Sequence, residues 1–392
     1  MGKLAIFSPN SGAISETFIK RHMEDLLPGQ TVIIAGSNEL SKYAHSSVDC
    51  PTFVLANRKP DNLNVRKKTW LSILDFKSKN KLLYNQALID FLKLHDVKII
   101  LGEYLDYSTT IIDLAKKLDI KLFAHGYGMD VSARLKDTFW TKQYLRFNNT
   151  EGIVTVSAYS KEKLIKIGLK KELIHVIPCG VKLSDGSPKV SENNFIKCIA
   201  VGKMVAKNGP LLLLESFKLA LEKNNYLTLD FIGSGVLYKN ALEFIKKHSL
   251  EDKVKIHGNL PSNILINMLK DADIFLQHSI TNPFSGDQVG LPIAILEAMA
   301  HFLPVIATSH AGIPEVVENN ESGIIVNEGD TIGMAEAIIK LAQNKSLRKS
   351  MGISGRTIIE EKFTWEIEKE SLLKLMEKEN IILQKKYQLS KY

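Results

Sequence analysis

Short apolar runs alternate with amphipathic stretches along the whole chain. The first series of strand-like runs, rich in β-branched residues, lies at 4–7, 31–35, 97–101, 120–124, 152–156 and 174–178. A second series lies at 196–201, 227–232, 254–257, 274–277, 305–308 and 323–326. Helical patterns such as 18–27 and 211–221 separate the runs. Apolar strands that alternate with helices predict parallel sheets covered by helices on both faces.

The two series of strands predict an α/β protein with two Rossmann-like domains that face a cleft. The polar segment 182–194, rich in Ser, Asn, Gly and Pro, is the best candidate for the linker. We therefore predict a first domain over 1–181 and a second over 195–363. The rest of the chain, 364–392, is predicted to begin as a helix that is free to pack back on the first domain.

Composition and charge narrow the class of protein. A chain of 392 residues fits two domains of roughly 150 residues, and 45% hydrophobic with 24% charged residues is a globular composition. Three cysteines without a CxxC pair argue against a disulfide framework and a cysteine zinc site. The sequence has no signal peptide and no uninterrupted membrane-spanning run, which predicts a soluble, cytoplasmic protein.

The net charge of +8 favours an anionic partner. Nucleic acid, a membrane surface and a phosphate-bearing small molecule all fit, and so does an ordinary basic cytosolic protein. No nucleic-acid-binding motif is found in the sequence, so nucleic acid is not a predicted partner. A nicotinamide-dependent enzyme is a weak candidate, because Gly233-Ser-Gly235 lacks the third glycine of the dinucleotide-binding motif.

Two strand-to-helix junctions in the first half carry candidate chemistry. Gly12 allows close backbone approach, while Ser15 is a plausible N-cap with Glu16 in the first helical turn. Such a helix start can hold an anion or a hydroxyl, although turn and capping chemistry alone also explain it. At the second junction His125 directly follows a strand and precedes two glycines and Asp130. An imidazole there can donate to a sugar hydroxyl or a phosphate, or serve a structural role.

The third junction follows the first strand of the second half. The strand ends at Gly202, and Lys203 and Lys207 flank a short loop before the next helix. Two cations at the carboxyl end of a strand suit a diphosphate, although solvated surface lysines have the same spacing. The phosphate-loop motif that ends in Gly-Lys-Ser/Thr is absent, so a P-loop nucleotide hydrolase is excluded.

The fourth junction is a glycine-bearing loop that leads into an apolar helix. Pro292 is predicted in the first helical turn, so the N–H groups near Gly290, Leu291 and Ile293 form a candidate phosphate cradle. Glu297 lies more than one turn into the helix, where a carboxylate needs a partner or a ligand. A buried structural pair is the alternative.

Taken together, these junctions resemble the family-4 retaining glycosyltransferases, which have the GT-B fold. The fourth junction and the Ser-His-Ala-Gly-Ile-Pro-Glu sequence at 309–315 carry most of the resemblance. Further matching segments lie at 156–164, 176–181, 200–203, 231–235 and 272–275. The segment 15–19, with His125-Gly and Asp130, is similar to members that build exopolysaccharide or lipopolysaccharide.

The resemblance implies a metal-free transferase that takes a nucleotide-diphosphate sugar as co-substrate and a glycan or lipid-linked acceptor. Its second domain would hold the donor, with 290–293 on the phosphates and donor sugar. Glu297 matches the second Glu of a Glu-x7-Glu motif that binds the ribose. His125 matches the histidine near the transferred sugar, and Gly12 the glycine by the phosphates and the acceptor. The family needs no other cofactor.

Three positions depart from the family pattern. Val289 stands where the motif has its first Glu, Asn208 replaces the second cation, and Lys203 replaces an arginine. Either Asp287 or Gln288 takes over from the missing Glu, or the chain is a non-catalytic relative that binds a glycan, a nucleotide sugar or a protein. Lys207 is adjacent to Asn208 and can supply the missing charge.

Two further segments concern metals and membranes. Asp271-Ala-Asp273 has the form used by metal-dependent sugar transferases, but it precedes a strand rather than following one, so no metal site is predicted. The basic segment 64–84 interleaves lysines and an arginine with Trp70 and other apolar residues. It is predicted either to lie on anionic lipid at the inner face of the membrane or to be a solvated helix over the core.

Overall fold

The computed structural model describes residues 3–10, 17–37, 50–55, 82, 85–183, 185–188 and 195–377. Several predictions lie outside these residues: those for Gly12, Ser15 and Glu16, for all of 64–84 except Leu82, and for the tail from residue 378 onwards.

The chain divides into two compact units. The first consists of Met1–Thr155, Lys161–Ile177 and Lys369–Tyr392, and the second of Val156–Ser160 and Pro178–Glu368. This division assigns 156–160 and 178–181 to the second unit, whereas the first domain was predicted to extend to residue 181. In 156–160, the N–H groups of Ala158 and Tyr159 donate to the carboxylate of Glu315 at 2.8 and 2.9 Å. In 178–181, the N–H of Gly180 donates to the carboxylate of Glu368 at 2.8 Å.

The first unit contains a seven-stranded sheet whose neighbouring strands are all parallel. The strands are β1 (Lys3–Asn10), β2 (Thr31–Ser37), β3 (Thr52–Val54), β4 (Val97–Glu103), β5 (Lys121–Gly126), β6 (Gly152–Thr155) and β7 (Ile174–Val176). Their spatial order is β3-β2-β1-β4-β5-β6-β7. The order reverses between β1 and β4, and doubly wound sheets bind ligands at the carboxyl ends of the strands at such a point.

Helices follow the strands of the first unit. They are α1 (Thr17–Glu24), α2 (Gln86–Leu94), α3 (Leu105–Ser108), α4 (Ile112–Lys117), α5 (Thr138–Tyr144) and α6 (Ala158–Lys166). Short 3-10 turns lie at Met129–Val131, Ala133–Lys136, Leu145–Asn149 and Lys171–Leu173. Helix α2 illustrates why they form: the Asn85 side chain caps it by accepting from the Leu88 N–H, and its apolar face is buried.

The second unit contains a six-stranded parallel sheet. Its strands are β8 (Ile196–Val201), β9 (Leu227–Ile232), β10 (Val254–Gly258), β11 (Ile274–Gln277), β12 (Val305–Thr308) and β13 (Gly323–Val326). The spatial order β10-β9-β8-β11-β12-β13 is that of a Rossmann sheet and reverses between β8 and β11.

The helices of the second unit cover this sheet. They are α7 (Pro210–Lys223), α8 (Tyr238–Lys247), α9 (Ser262–Asp271), α10 (Ile293–Ala300), α11 (Thr331–Gln343) and α12 (Lys345–Lys362), with 3-10 turns at Ala206–Asn208 and Ile313–Glu315. Gly209, with φ of +49°, precedes α7, and a Cβ there would collide with the carbonyl oxygen of His278. A glycine is therefore needed where the loop after β8 meets the loop after β11.

The last described helix is α13 (Trp365–Glu377). From Lys369 onwards it belongs to the first unit, where the Lys369 ammonium donates to the Asp25 carbonyl at 2.6 Å. The prediction that the tail begins as a helix is confirmed for these residues.

The predicted strands are confirmed, and five of them, β8, β9, β11, β12 and β13, have the predicted limits. Two differences from the prediction remain. Strand β3 was missed because it is a three-residue edge strand, too short to show a pattern. Helix α1 ends at Glu24 rather than at residue 27.

Candidate functional site

A lysine–aspartate pair lies at the reversal point of the second sheet. The Lys207 ammonium lies 3.0 Å from the Asp287 carboxylate and donates to the Gln288 carbonyl at 3.3 Å. The backbone of the same loop is fixed, because the Ile280 N–H donates to the Lys207 carbonyl at 2.8 Å. Lys207 therefore links the loop after β8 to the loop after β11.

The other two predicted residues of the β8 loop differ in their surroundings. The Asn208 amide donates to the Lys203 carbonyl at 2.7 Å and so closes the loop on itself. Asn208, which stands where the family has a cation, therefore has a structural role in this loop. The Lys203 side chain is exposed and forms no ion pair with any described residue. Gly202 lies between the strand and this loop, and a Cβ there would have ordinary contact with the Asn208 amide.

The loop before α10 presents backbone N–H groups. Helix α10 begins at Ile293, so Pro292 is its N-cap rather than its first turn. Among the described residues, no acceptor lies against the N–H groups of Gly290, Leu291 and Ile293. The Val289 N–H, by contrast, donates to Nε2 of His310 at 3.1 Å. The predicted phosphate cradle therefore consists of the N–H groups of Gly290, Leu291 and Ile293, without that of Val289.

Behind this loop, His310 and Glu328 form a supporting hydrogen-bond network. Nδ1 of His310 lies 2.6 Å from the Glu328 carboxylate, which also accepts from the Thr281 N–H at 2.8 Å. Burial acts to raise the pKa of Glu328, but the Thr281 N–H and His310 outweigh it and hold the pKa below its ordinary value. Because Nε2 accepts from Val289, Nδ1 of a neutral His310 must carry the hydrogen.

Asp287 and Gln288, the two candidates to replace the missing Glu, are both engaged in contacts. Asp287 is paired with Lys207, as described above. The Gln288 amide donates to the hydroxyls of Tyr159 and Thr281 at 3.0 and 2.9 Å. Glu297 is half-buried in α10, one turn before His301, whose Nδ1 lies 2.7 Å from the Glu297 carbonyl.

The first unit carries a buried polar cluster at the carboxyl ends of its central strands. Glu103 ends β4, and the strand register places it beside His125 on β5. Helix α1 contributes His22, whose Nδ1 lies 2.6 Å from Oε1 of Glu103. All three side chains are fully buried.

Tyr127 joins this cluster. Its hydroxyl donates to Oε2 of Glu103 at 2.7 Å and lies 2.9 Å from Nδ1 of His125. Its ring stacks on the His125 ring with centroids 4.2 Å apart. Burial alone would raise the pKa of Glu103, but His22 and, to a smaller extent, His125 and Tyr127 lower it below its ordinary value. These contacts favour the ionised form of the Glu103 carboxylate.

Asp130, predicted on the acceptor side, organises the loop after β5. Its buried carboxylate accepts from the N–H groups of Leu105 at 2.9 Å, Gly128 at 2.9 Å and Tyr127 at 3.1 Å. Burial and the nearby charge of Asp106 raise its pKa to about 6, although the three N–H donors act in the opposite direction. These contacts give Asp130 a structural role, and contact with an acceptor stays a prediction.

Within the described part of the chain, one group of side chains has the spacing of metal ligands: His22, Glu103 and His125, whose ligand atoms all lie within 4.8 Å. Their contacts are those of hydrogen bonds rather than of a coordination sphere, since Oε1 of Glu103 is 2.6 Å from Nδ1 of His22. Asp271 and Asp273 lie at the amino end of the second sheet, where both contact Lys197.

Sequence reasoning missed five residues of these networks: His22, Glu103, Tyr127, His310 and Glu328. Glu103 offered the clearest signal, because a carboxylate at the end of the buried strand Val97–Glu103 needs a partner. Tyr127 lies in the loop between His125 and Asp130, and His310 lies in the segment 309–315, but neither was given a role of its own. His22 and Glu328 carry no comparable local signal, because their partners lie far away in sequence.

No helix among the residues in the described ranges is long and apolar enough to cross a membrane. Comparison with known families gives two adjacent matches. The model described as "Glycosyltransferase Family 4" matches residues 38–185, and that described as "Glycosyl transferases group 1" matches residues 186–358.

Two of the similar proteins come from the bacteria Erwinia amylovora and Escherichia coli. The amylovoran biosynthesis glycosyltransferase AmsK of Erwinia amylovora is 30% identical over 255 residues, 64% of this chain and 62% of that protein. The putative colanic acid biosynthesis glycosyltransferase WcaL of Escherichia coli K12 is 31% identical over 220 residues, 55% of this chain and 54% of that protein. The chain thus spans between about half and three fifths of the length of these relatives.

Among solved structures, Anabaena HepE in complex with UDP is similar over 96% of this chain and 100% of that one, with a TM-score of 0.74 and 16% identity. At that identity the likeness concerns the fold, which is GT-B, as predicted. The two family matches run consecutively from residue 38 to residue 358, so each half of the chain matches a glycosyltransferase family model.

Proposed function

We propose that this protein transfers a hexose from a nucleotide-diphosphate sugar to a glycan or lipid-linked acceptor, with retention of the anomeric configuration, in the synthesis of a bacterial surface polysaccharide. The family supports sugar transfer, and the names of AmsK and WcaL support the exopolysaccharide context.

A single observation carries the proposal: a cation and a helix start meet at the reversal point of the second sheet. Lys207 is held there by Asp287, and the N–H of Gly290 follows in the same loop. A diphosphate carries negative charge and many acceptor oxygens, so an ammonium and backbone N–H groups are its natural partners. Lys203 adds a second cation on the same loop as Lys207.

We propose the following roles in the reaction. The bond from the anomeric carbon to the diphosphate breaks as the acceptor hydroxyl attacks the same face, and the hydroxyl proton passes to a diphosphate oxygen. Lys203, Lys207 and the N–H groups at 290–293 offset the charge that develops on the leaving group. Glu297 binds the ribose hydroxyls, and His125 binds a hydroxyl of the transferred sugar. Gly12 lies by the donor phosphates and the acceptor, and Ser15, Glu16 and Asp130 serve the acceptor side.

Because position 289 is Val rather than Glu, another residue must recognise the donor sugar in this site. Because Asp287 pairs with Lys207 and Gln288 bonds Tyr159, recognition of the donor sugar by either requires an exchange of partners. When a diphosphate takes Lys207, the Asp287 carboxylate is released and can accept from a sugar hydroxyl. The alternative, a non-catalytic binding protein, is not favoured, because the relatives named above are glycosyltransferases.

We expect a nucleotide-diphosphate sugar to raise the melting temperature. At a concentration about 100 times Kd, ligand binding stabilises a protein by about 2.7 kcal/mol, which raises Tm by roughly 5–10 °C for a unit of this size. The measurement is a thermal-shift screen of UDP, GDP, ADP, CMP and dTDP sugars, led by the UDP sugars because HepE binds UDP.

The screen has a built-in control. A donor that binds as proposed loses its shift in Lys207→Ala and keeps it in Lys218→Ala. Lys218 is a matched control because it too is an ion-paired lysine, with a 21% exposed side chain against 22% for Lys207. If no nucleotide sugar shifts Tm and none is turned over, the proposed function is wrong.

We also propose that the basic segment 64–84 binds anionic lipid and so brings the enzyme to a lipid-linked acceptor. Its lysines and Arg66 alternate with Trp70 and Phe76, a pattern typical of interfacial binding. We expect the protein to sediment with vesicles that contain phosphatidylglycerol at low salt and to be released at high salt. Neutral vesicles and a Trp70→Ser/Phe76→Ser variant are the controls. Sedimentation that is absent or independent of salt would remove this proposal.

A further inference from the structure

In the buried cluster of the first unit, the donor and the acceptor of each hydrogen bond can be assigned. An ionised carboxylate only accepts, so Glu103 takes a hydrogen from Tyr127 on Oε2 and one from His22 on Oε1. The Tyr127 hydroxyl has a single hydrogen, which is committed to Glu103. The oxygen of that hydroxyl must then accept from Nδ1 of His125, which lies 2.9 Å away. Nδ1 of His125 therefore carries a hydrogen.

We propose that Glu103, acting through the Tyr127 hydroxyl, holds His125 as the neutral tautomer with its hydrogen on Nδ1. Nε2 of His125 is then an acceptor, suited to a hydroxyl group of the sugar that is transferred. Glu103 and Tyr127 are positioning residues in this proposal, and His125 is the residue that binds the sugar. The last step rests on the proposed function, whereas the tautomer itself does not.

The reverse order of hydrogens is disfavoured by the surroundings. It would need a proton on Glu103, with the carboxyl donating to Tyr127 and Tyr127 donating to Nδ1 of His125. Glu103 is fully buried beside His22, and the hydrogen bonds it accepts from His22 and Tyr127 favour the ionised carboxylate. A buried ionised carboxylate is costly without hydrogen-bond donors, so Tyr127 and His22 are held as donors to Glu103.

Ring stacking fixes the orientation of the same groups. The His125 ring lies between that of Tyr127, with centroids 4.2 Å apart, and that of His22, with centroids 5.7 Å apart. Tyr127 is itself packed against Phe18 at 4.6 Å and Tyr104 at 5.5 Å. Because these contacts involve rings and not the hydroxyl, Tyr127→Phe removes the hydrogen bond while the packing is retained.

The direct test is ¹⁵N NMR of histidine-labelled protein, with the His125 signals assigned by their absence in His125→Gln. We expect His125 of the wild type to show a protonated Nδ1 and an unprotonated Nε2. In Tyr127→Phe we expect the Nδ1–H tautomer to be lost or mixed, because its acceptor is gone. Tyr104→Phe, which removes a hydroxyl from a ring that packs on Tyr127, should leave His125 unchanged.

Glu103→Gln gives a second, independent readout. A glutamine side chain must donate from its amide nitrogen where the carboxylate only accepted. Either its nitrogen faces Tyr127 and His125 switches tautomer, or it faces His22 and His22 switches. One of the two imidazoles must therefore change its ¹⁵N pattern in this variant, whichever way the amide is oriented.

Turnover links the tautomer to the reaction. With the donor found in the thermal-shift screen, we expect Tyr127→Phe to lower kcat by about 10- to 100-fold, with a smaller effect on KM. In the wrong tautomer, Nε2 of His125 carries a hydrogen and cannot accept from the sugar hydroxyl. A wild-type His125 that is protonated on Nε2, or on both nitrogens, would overturn the proposal. So would a Tyr127→Phe variant with unchanged tautomer and kcat. Failure of all donors would instead contradict the proposed function and leave the NMR result to decide the tautomer.

Discussion

Replacing Lys207 with alanine is expected to lower kcat/KM for the nucleotide-sugar donor by about 100- to 1000-fold, the usual cost of removing one donor to a developing oxyanion. Lys207 lies at the reversal point of the second sheet and is the cation that both loops hold in place. The measurement is release of the nucleotide diphosphate from the donor under steady-state conditions. Lys218→Ala, with its equally exposed ion-paired lysine, should stay within about twofold of the wild type, as is usual for a surface ion pair.

The partner of Lys207 makes this prediction sharper. If Asp287 acts through Lys207 alone, adding Asp287→Ala to Lys207→Ala changes kcat/KM no further, so the two effects are not additive. If Asp287 also binds the donor sugar once it is released, the double variant is less active than Lys207→Ala. A Lys207→Ala variant that keeps wild-type kcat/KM would exclude the lysine from the reaction and, with it, the assignment of this loop to the diphosphate.

The sheets could be predicted from the sequence because buried parallel strands are continuous apolar runs with polar ends. Five strands of the second unit begin and end where the apolar run does, as in Ile274–Gln277 and Val305–Thr308. Edge strand Thr52–Val54 has only three residues, of which the first is exposed, so burial left no pattern to detect. Strand order could not be predicted from these runs at all.

The positions of the candidate site could also be predicted, because ligands of such sheets bind at the carboxyl ends of strands. What the side chains do there could not. Val289 was predicted as a lost Glu, but its N–H is also bonded to His310, 21 residues later. Asn208 was predicted as a lost cation, and its amide closes the loop instead. These are tertiary contacts with no local sequence signal.

The cluster around His125 shows the same limit over longer distances. His22 and Glu103 are 81 positions apart and meet only in the folded unit, where His22 of α1 reaches the carboxyl end of β4. Strand register then places Glu103 beside His125. Neither the helix position nor the register is encoded in a short motif. A buried carboxylate at the end of an apolar strand was the one available indication that such partners exist.

Asp130 is the second residue whose removal is expected to have a large effect, this time on stability. Asp130→Ala would leave three backbone N–H groups without their acceptor, one of them on fully buried Leu105. A buried donor left unpaired costs about 1–3 kcal/mol, so we expect a loss of about 3–5 kcal/mol near pH 5. Urea unfolding of wild type and variant measures it.

The stability lost in Asp130→Ala should depend on pH, and the pKa of Asp130 determines whether the loss is larger at low or at high pH. Burial and Asp106 raise the pKa of Asp130 in the folded protein to about 6, above the ordinary value of 3.8. A group whose pKa rises on folding contributes stability that is fully present below the unfolded pKa and is lost as the pH rises through the folded pKa. Asp130→Ala should therefore destabilise more at pH 5 than at pH 7, by about 1 kcal/mol.

A surface carboxylate separates this effect from general charge effects. Asp113 is 46% exposed and paired with Arg146, so Asp113→Ala should cost less than about 1 kcal/mol at both pH values. Comparing each variant with the wild type at the same pH cancels the other titrating groups. If Asp130→Ala destabilises more at pH 7 than at pH 5, the three N–H donors outweigh burial and the folded pKa lies below 3.8. In that case Asp130 would be ionised throughout, and the loop after β5 would be held by a charged carboxylate.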